Sequence, residues 1–142
     1  MSYLLDTNVI SELVRKKPAK SVVEWIQTIS RESLFISVLT IGELRYGIEK
    51  IAEQKKKEAL KLWLDTDLKR WFQNRELAIS IEIANKWGFL QHKMQRPIPV
   101  IDSLLAATAI HHDLKMVKRN EKDFQYPGLE LINPWHTYTR YP

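Results

Sequence analysis

The 142-residue sequence has no cysteine. That absence excludes a disulfide scaffold, a thiolate metal site and a cysteine nucleophile, and makes a reducing, cytoplasmic compartment the expected address. Long apolar runs are missing as well, so no stretch is expected to span a bilayer. The opening MSYLLDTNVISELV has Asp6 and Glu12 among its apolar residues and no basic leader, which is not the form of a signal peptide. No repeat or low-complexity linker divides the chain, and its length suits one domain over residues 1–142 that buries a core without cross-links. Ligand-spaced histidines are also absent. His111 and His112 are adjacent, so on a helix they point about 100° apart, and His92 and His136 have no partner at ligand spacing. The five tryptophans fall mostly at apolar helical positions, where packing is the expected use.

Charge is present with a modest bias. Lys and Arg number 22 against 17 Asp and Glu, for a formal net charge of +5 and a pI near 9.4. The summed field attracts polyanions. The basic residues come in groups, Arg15-Lys16-Lys17, Lys55-Lys56-Lys57 and Lys118-Arg119. Lys55 to Lys57, taken alone, read as a solvated helix face. Four acids, Asp6, Glu43, Asp102 and Asp123, lie instead in largely apolar surroundings. An acidic pocket on a basic body suits metal-assisted chemistry on a phosphate backbone.

The hydrophobic pattern alternates between strand and helix, which argues for a parallel sheet with helices on both faces. Strands are expected over residues 2–6, 34–38, 77–81, 114–117 and 129–132. Helices are expected over 8–14, 19–30, 83–94 and 100–111. Residues 40 to about 74 form a helical hairpin in this reading, with its tip in the polar stretch around 53–57. The segment Gln95-Arg96-Pro97-Ile98-Pro99 is stiff, because each proline fixes its own φ and biases the preceding residue away from helix. It leads directly to Asp102.

Each acid has an ordinary structural use. Asp6 suits the N-cap of the helix that follows it. Thr40-Ile41-Gly42-Glu43 has the form of a capping box. Asp102 falls in a first helical turn, where the dipole favours a negative side chain, and Asp123 follows a polar turn in which Asp bonds nearby backbone. Their joint placement carries more weight. Asp6 ends the first strand, Glu43 follows the second, Asp102 opens an apolar helix and Asp123 follows the fourth strand, and in a parallel sheet those places share one edge. Acids converging there repel one another unless a cation lies between them. Oxygen donors without cysteine favour Mg²⁺ or Mn²⁺ over zinc. Phosphodiester hydrolysis is the reaction that fits such a centre.

Four segments, YLLDTNVISEL, SVLTIGELRYGI, IPVIDSLLAATAIHHDL and MVKRNEKDFQYPGLELINPW, together resemble the PIN-domain ribonucleases, in particular the VapC-type toxins of bacterial toxin-antitoxin pairs. The likeness runs over nearly the whole chain. It implies an α/β, PIN-like three-layer sandwich with a parallel five-stranded sheet between helices. The family's acidic quartet, catalytic and metal-binding, corresponds to Asp6, Glu43, Asp102 and Asp123, with Asn8 and Asn120 as supporting polar residues. It further implies a cognate antitoxin whose tail crosses the acidic pocket, and a homodimer. One position departs from the pattern: the family has Thr or Ser before the Arg-Asn of the fourth motif, and here Lys118 stands there.

The expectation is therefore a Mg²⁺- or Mn²⁺-dependent endoribonuclease, the toxin of a type II pair, acting on RNA. A haloacid-dehalogenase-like phosphohydrolase would need a second Asp two residues after Asp6, where Asn8 stands. The alternative from another class is a non-catalytic RNA- or antitoxin-binding domain of the same fold. It would bind RNA with or without divalent metal and leave it uncut.

Overall fold

The computed structural model describes residues 1–122 and 124–136. Strand β1, Tyr3–Leu5, leads into α1, Thr7–Leu13, and α2, Lys20–Gln27. Strand β2, Leu34–Ser37, runs directly into α3, Val38–Glu49. A second arm follows, made of α4 (Gln54–Leu62), a π-helical turn (Trp63–Leu68) and α5 (Lys69–Trp71). Then come β3 (Glu76–Leu77), α6 (Ile81–Met94), α7 (Val100–His111), β4 (Lys115–Val117) and β5 (Leu131–Ile132). The strands form one sheet in the order β3-β2-β1-β4-β5, and every pairing is parallel.

Side chains alternate across a strand, and here the alternation divides the core in two. Tyr3, Leu5 and Val117 face one layer with Val9, Ile10, Val22, Leu44, Ile48 and Phe72. Leu4 and Met116 face the other, with Ile83, Leu105 and the alanines Ala106, Ala107 and Ala109 of α7. Those alanines are fully buried, which lets α7 lie close to the sheet. Its partner α6 is fastened to it where the Trp87 indole N–H donates to Ser103 Oγ at 2.8 Å.

Several boundaries differ from the sequence reading. The hairpin's tip lies at 50–53, not 53–57, because Glu53 caps α4 by accepting from Lys56 N at 2.6 Å. Lys55 to Lys57 thus sit in the helix's first turns. In the second arm Leu64, Leu68 and Phe72, spaced four apart, turn to the core together. The expected third strand, 77–81, is reduced to Glu76–Leu77, since the Ser80 hydroxyl accepts from Ile83 N at 3.2 Å and starts α6 at Ile81. Among the described residues no helix is long and apolar enough to cross a membrane.

Candidate active site

Three of the four singled-out acids, Asp6, Glu43 and Asp102, are electrostatic neighbours at the carboxyl edge of the parallel sheet. Asp6 follows β1 directly, and its N–H donates to Val117 O at 2.9 Å, which holds it against the end of β4. It occupies the N-cap position of α1 yet makes no side-chain cap bond. A carboxylate 8 % exposed and unused as a cap is costly unless something else compensates its charge. Burial pushes the Asp6 carboxyl above the usual range; Lys118 and the Thr7 N–H act against that, and Asp102 and Glu43 add to it. The same three charged groups are therefore the electrostatic neighbours of Asp6. Asp102 reaches this edge because α7 runs back along the sheet, so that its first turn, which holds Asp102, lies where β1 ends.

Glu43 is held differently from the capping-box reading. Helix α3 begins two residues before Thr40, at Val38, and Ser37 is its cap, accepting from Leu39 N at 3.0 Å. Thr40 is buried inside the helix, with no hydrogen-bond partner for its Oγ1 among the described residues. Glu43 Oε1 instead accepts the Thr7 hydroxyl at 2.5 Å. Thr7, which the sequence reading passed over, thus ties the second acid to the residue beside the first. Its only signal in the sequence was adjacency to Asp6.

Asn8, expected in support, is half-buried, and its Oδ1 is enclosed with no hydrogen-bond partner among the described residues. Asn120 is exposed, and its Oδ1 accepts from Lys122 N at 3.1 Å, so its role is to shape the turn preceding residue 123. Asp123 itself lies outside the described residues. That turn is anchored from behind by Asn133, which is 4 % exposed and donates to Arg119 O at 2.8 Å and to Glu121 Oε2 at 3.1 Å. Asn133 was another residue the sequence did not single out.

Lys118 does not belong to a surface basic group. It is 4 % exposed, its N–H pairs with Ile132 O at 3.0 Å, and its Nζ stands 3.4 Å from the centre of the Phe124 ring. Phe124 in turn meets Tyr126 edge-on at 5.6 Å. The Tyr126 hydroxyl is buried without a hydrogen-bond partner among the described residues, and burial, followed by the charge of Asp102, raises its pKa.

The donor chemistry at this edge is that of a hard cation: carboxylates of Asp6, Glu43 and Asp102, and an amide oxygen of Asn8 enclosed without a partner among the described residues. Among the described residues no three acids or histidines already converge tightly enough to hold an ion. The residues fit the metal by type, then, with Glu43 drawn toward Thr7.

A groove of about 1130 Å³ leads to the site between α1, α3 and α4. Thr7 and Glu43 line it, as do Arg15, Lys16, Lys17, Lys55 and Lys56. Lys57 turns aside to Glu49, at 3.5 Å.

The PIN domain family matches residues 3–128. This chain belongs to the PIN-domain family. Among curated PIN-type relatives, the toxin FitB of Neisseria gonorrhoeae is 32 % identical over 94 % of this chain and 98 % of its own. The VapC ribonuclease Y4jK of Sinorhizobium fredii is 31 % identical over 93 % of this chain and 96 % of its own. Among solved structures, FitAcB from N. gonorrhoeae matches this PIN domain with a TM-score of 0.88 at 32 % identity, over 94 % of this chain and 99 % of that one. VapBC2 from Rickettsia felis, bound to a DNA fragment from its promoter, matches with a TM-score of 0.75 at 25 % identity, over 94 % and 98 %. The sandwich and its five-stranded parallel sheet are those implied by the sequence resemblance.

Proposed function

We propose that this PIN-domain protein is a divalent-metal-dependent endoribonuclease and the toxin of a toxin-antitoxin pair. The observation that carries the reading is the gathering of Asp6, Glu43 and Asp102 into one electrostatic neighbourhood at the head of a groove lined with basic residues. The kinship to a VapC ribonuclease and to the toxin FitB supports the RNA substrate and the toxin role.

In this reading Asp6, Glu43, Asp102 and Asp123 are the catalytic and metal-binding residues, and Asn8 and Asn120 support them. When bound, Mg²⁺ or Mn²⁺ supplies a Lewis acid for a phosphate oxygen and for the attacking water. Asp6 anchors the site because its backbone is fixed on both sides, by β1 and by the bond to Val117. The Thr7 hydroxyl satisfies Glu43 Oε1, which leaves Oε2 to take the proton of the attacking water. Asp102 brings its carboxylate from the first turn of α7, where the dipole favours a negative side chain. Arg15, Lys16, Lys17, Lys55 and Lys56 hold the RNA by its phosphates, which positions the chain without reading its sequence. The cognate antitoxin lies across the same acidic pocket and blocks it.

Purified protein offered a pool of structured and single-stranded RNAs should cut in Mg²⁺ or Mn²⁺ and stop in chelator. Asp6→Asn should abolish that cutting. Equal cutting by the variant would remove Asp6 from the machinery, and binding without cutting under every condition would favour the non-catalytic alternative.

A further inference from the structure

From the placement of Lys118 we infer that this lysine is a built-in counter-cation of the carboxylate site, one that shares the acids with the divalent ion and so weakens its hold. The inference rests on the metal-dependent reading above.

Three observations carry it. First, Lys118 follows β4 at the same sheet edge where Asp6 follows β1, and the Asp6 N–H to Val117 O bond at 2.9 Å locks the two ends side by side. Second, the lysine is enclosed, at 4 % exposure, in a place where an ammonium group is admitted only with compensation. Third, its Nζ lies 3.4 Å from the centre of the Phe124 ring, a cation–π contact that fixes the head group inside the protein.

The geometry also decides against the other use a lysine could have here. A lysine that grips a scissile phosphate must extend its Nζ into the groove, but this one is packed against Phe124 and is not among the residues that line the groove. Among the described residues it makes no direct ion pair. Its charge therefore acts on Asp6 through space. The negative charges of Asp102 and Glu43 act on the same carboxylate. A fixed positive charge at this point keeps the acids tolerable in the absence of metal. The same charge repels an incoming divalent cation. The consequence is a site that stands assembled without metal and binds it loosely.

The test uses the full chain, with Lys118→Met, Lys118→Arg, Asp6→Asn and the double variant Asp6→Asn/Lys118→Met. The readouts are Mn²⁺ binding by titration calorimetry and thermal melting in chelator. Lys118→Met should bind Mn²⁺ about tenfold or more tightly than the parent, the effect of deleting one nearby charge at moderate effective dielectric. Lys118→Arg should bind like the parent. In chelator Lys118→Met should lower the melting temperature, and it should lower it less in the Asp6→Asn background. The Phe124 contact is lost in both backgrounds, so the difference isolates the lysine's coupling to Asp6. Additive melting shifts would overturn the inference. So would a Lys118→Met variant that gains no Mn²⁺ affinity. Neither readout uses RNA, so a parent protein that fails to cleave would sink the nuclease reading and leave the coupling standing.

Discussion

Thr7 donates its hydroxyl to Glu43 across 36 positions of sequence, and that one bond decides how Glu43 can act. If Thr7 orients the carboxylate, Thr7→Val should lower kcat about tenfold by letting the side chain swing, with KM little changed. Single-turnover cleavage of one defined RNA would measure it, and unchanged kcat would mean that Glu43 needs no such tether. Asp6 gives a second prediction, about pH. Its pKa is raised in the folded protein, chiefly by burial, so its contribution to stability is present below the ordinary Asp range and is lost as pH rises through the folded value. In chelator, Asp6→Asn should therefore melt above the parent at neutral pH, and the gap should close in acid. A constant gap across pH would show that the Asp6 charge is not the source of the cost. Glu12 is buried for a different reason, since its carboxylate accepts from Ala19 N at 2.8 Å and from Arg15 Nη1 at 3.2 Å. Glu12→Ala should cost about 2 kcal/mol by leaving the Ala19 N–H unpaired. Urea melting reads that loss, and cleavage at low temperature should remain.

At the scale of elements, the sequence was most legible where local chemistry sets both ends. Helix α7 was expected over 100–111 and is observed as Val100–His111. Pro99 sets its start, and Asp113, at φ 56, ends the chain's helical course just past it. The edge strands β3 and β5 are two residues each. Their pairing with β2 and β4 defines them, which no pattern within two residues can announce. The capping box failed for a related reason: Thr40 to Glu43 has the right letters, but Ser37 ends a strand and caps the helix first. At the candidate site, Asp6 and Asp102 were expected beside element ends and stand there, whereas Glu43 lies in mid-helix, and Asn133 and Thr7 act on partners far away in sequence. Asn133 offers the test at this scale. Because it holds the backbone at Arg119 and the side chain of Glu121, Asn133→Ala should loosen the turn before residue 123. Amide exchange there should speed up by about tenfold for the loss of roughly one buried hydrogen bond, while exchange in α3 stays slow.

For the whole molecule, the net charge of +5 foretold attraction to polyanions but not where that charge would act. Folding sorts it. Lys118 turns inward against Phe124, and Lys57 and Lys61 are engaged with Glu49. Arg15, Lys16, Lys17, Lys55 and Lys56 converge on the groove that ends at Glu43. The sequence could not distinguish these fates, because a lysine on α4 and one after α1 become neighbours only when the hairpin arm packs over the first helix. If the groove carries RNA by its phosphates, binding must release counterions, and the logarithm of affinity must fall linearly with the logarithm of salt concentration, by about 0.7 for each phosphate neutralised on a single strand. In an Asp6→Asn background that binds without cutting, the double variant Lys16→Gln/Lys17→Gln should flatten that slope by about 1.4 and weaken all RNA sequences alike. Lys57→Gln, which removes a lysine already facing Glu49, should leave the slope where it was. Fluorescence anisotropy over a salt series measures both. A slope that ignored Lys16 and Lys17 would move the RNA path off this groove, and the acidic edge would then have to be approached from the α6 and α7 side.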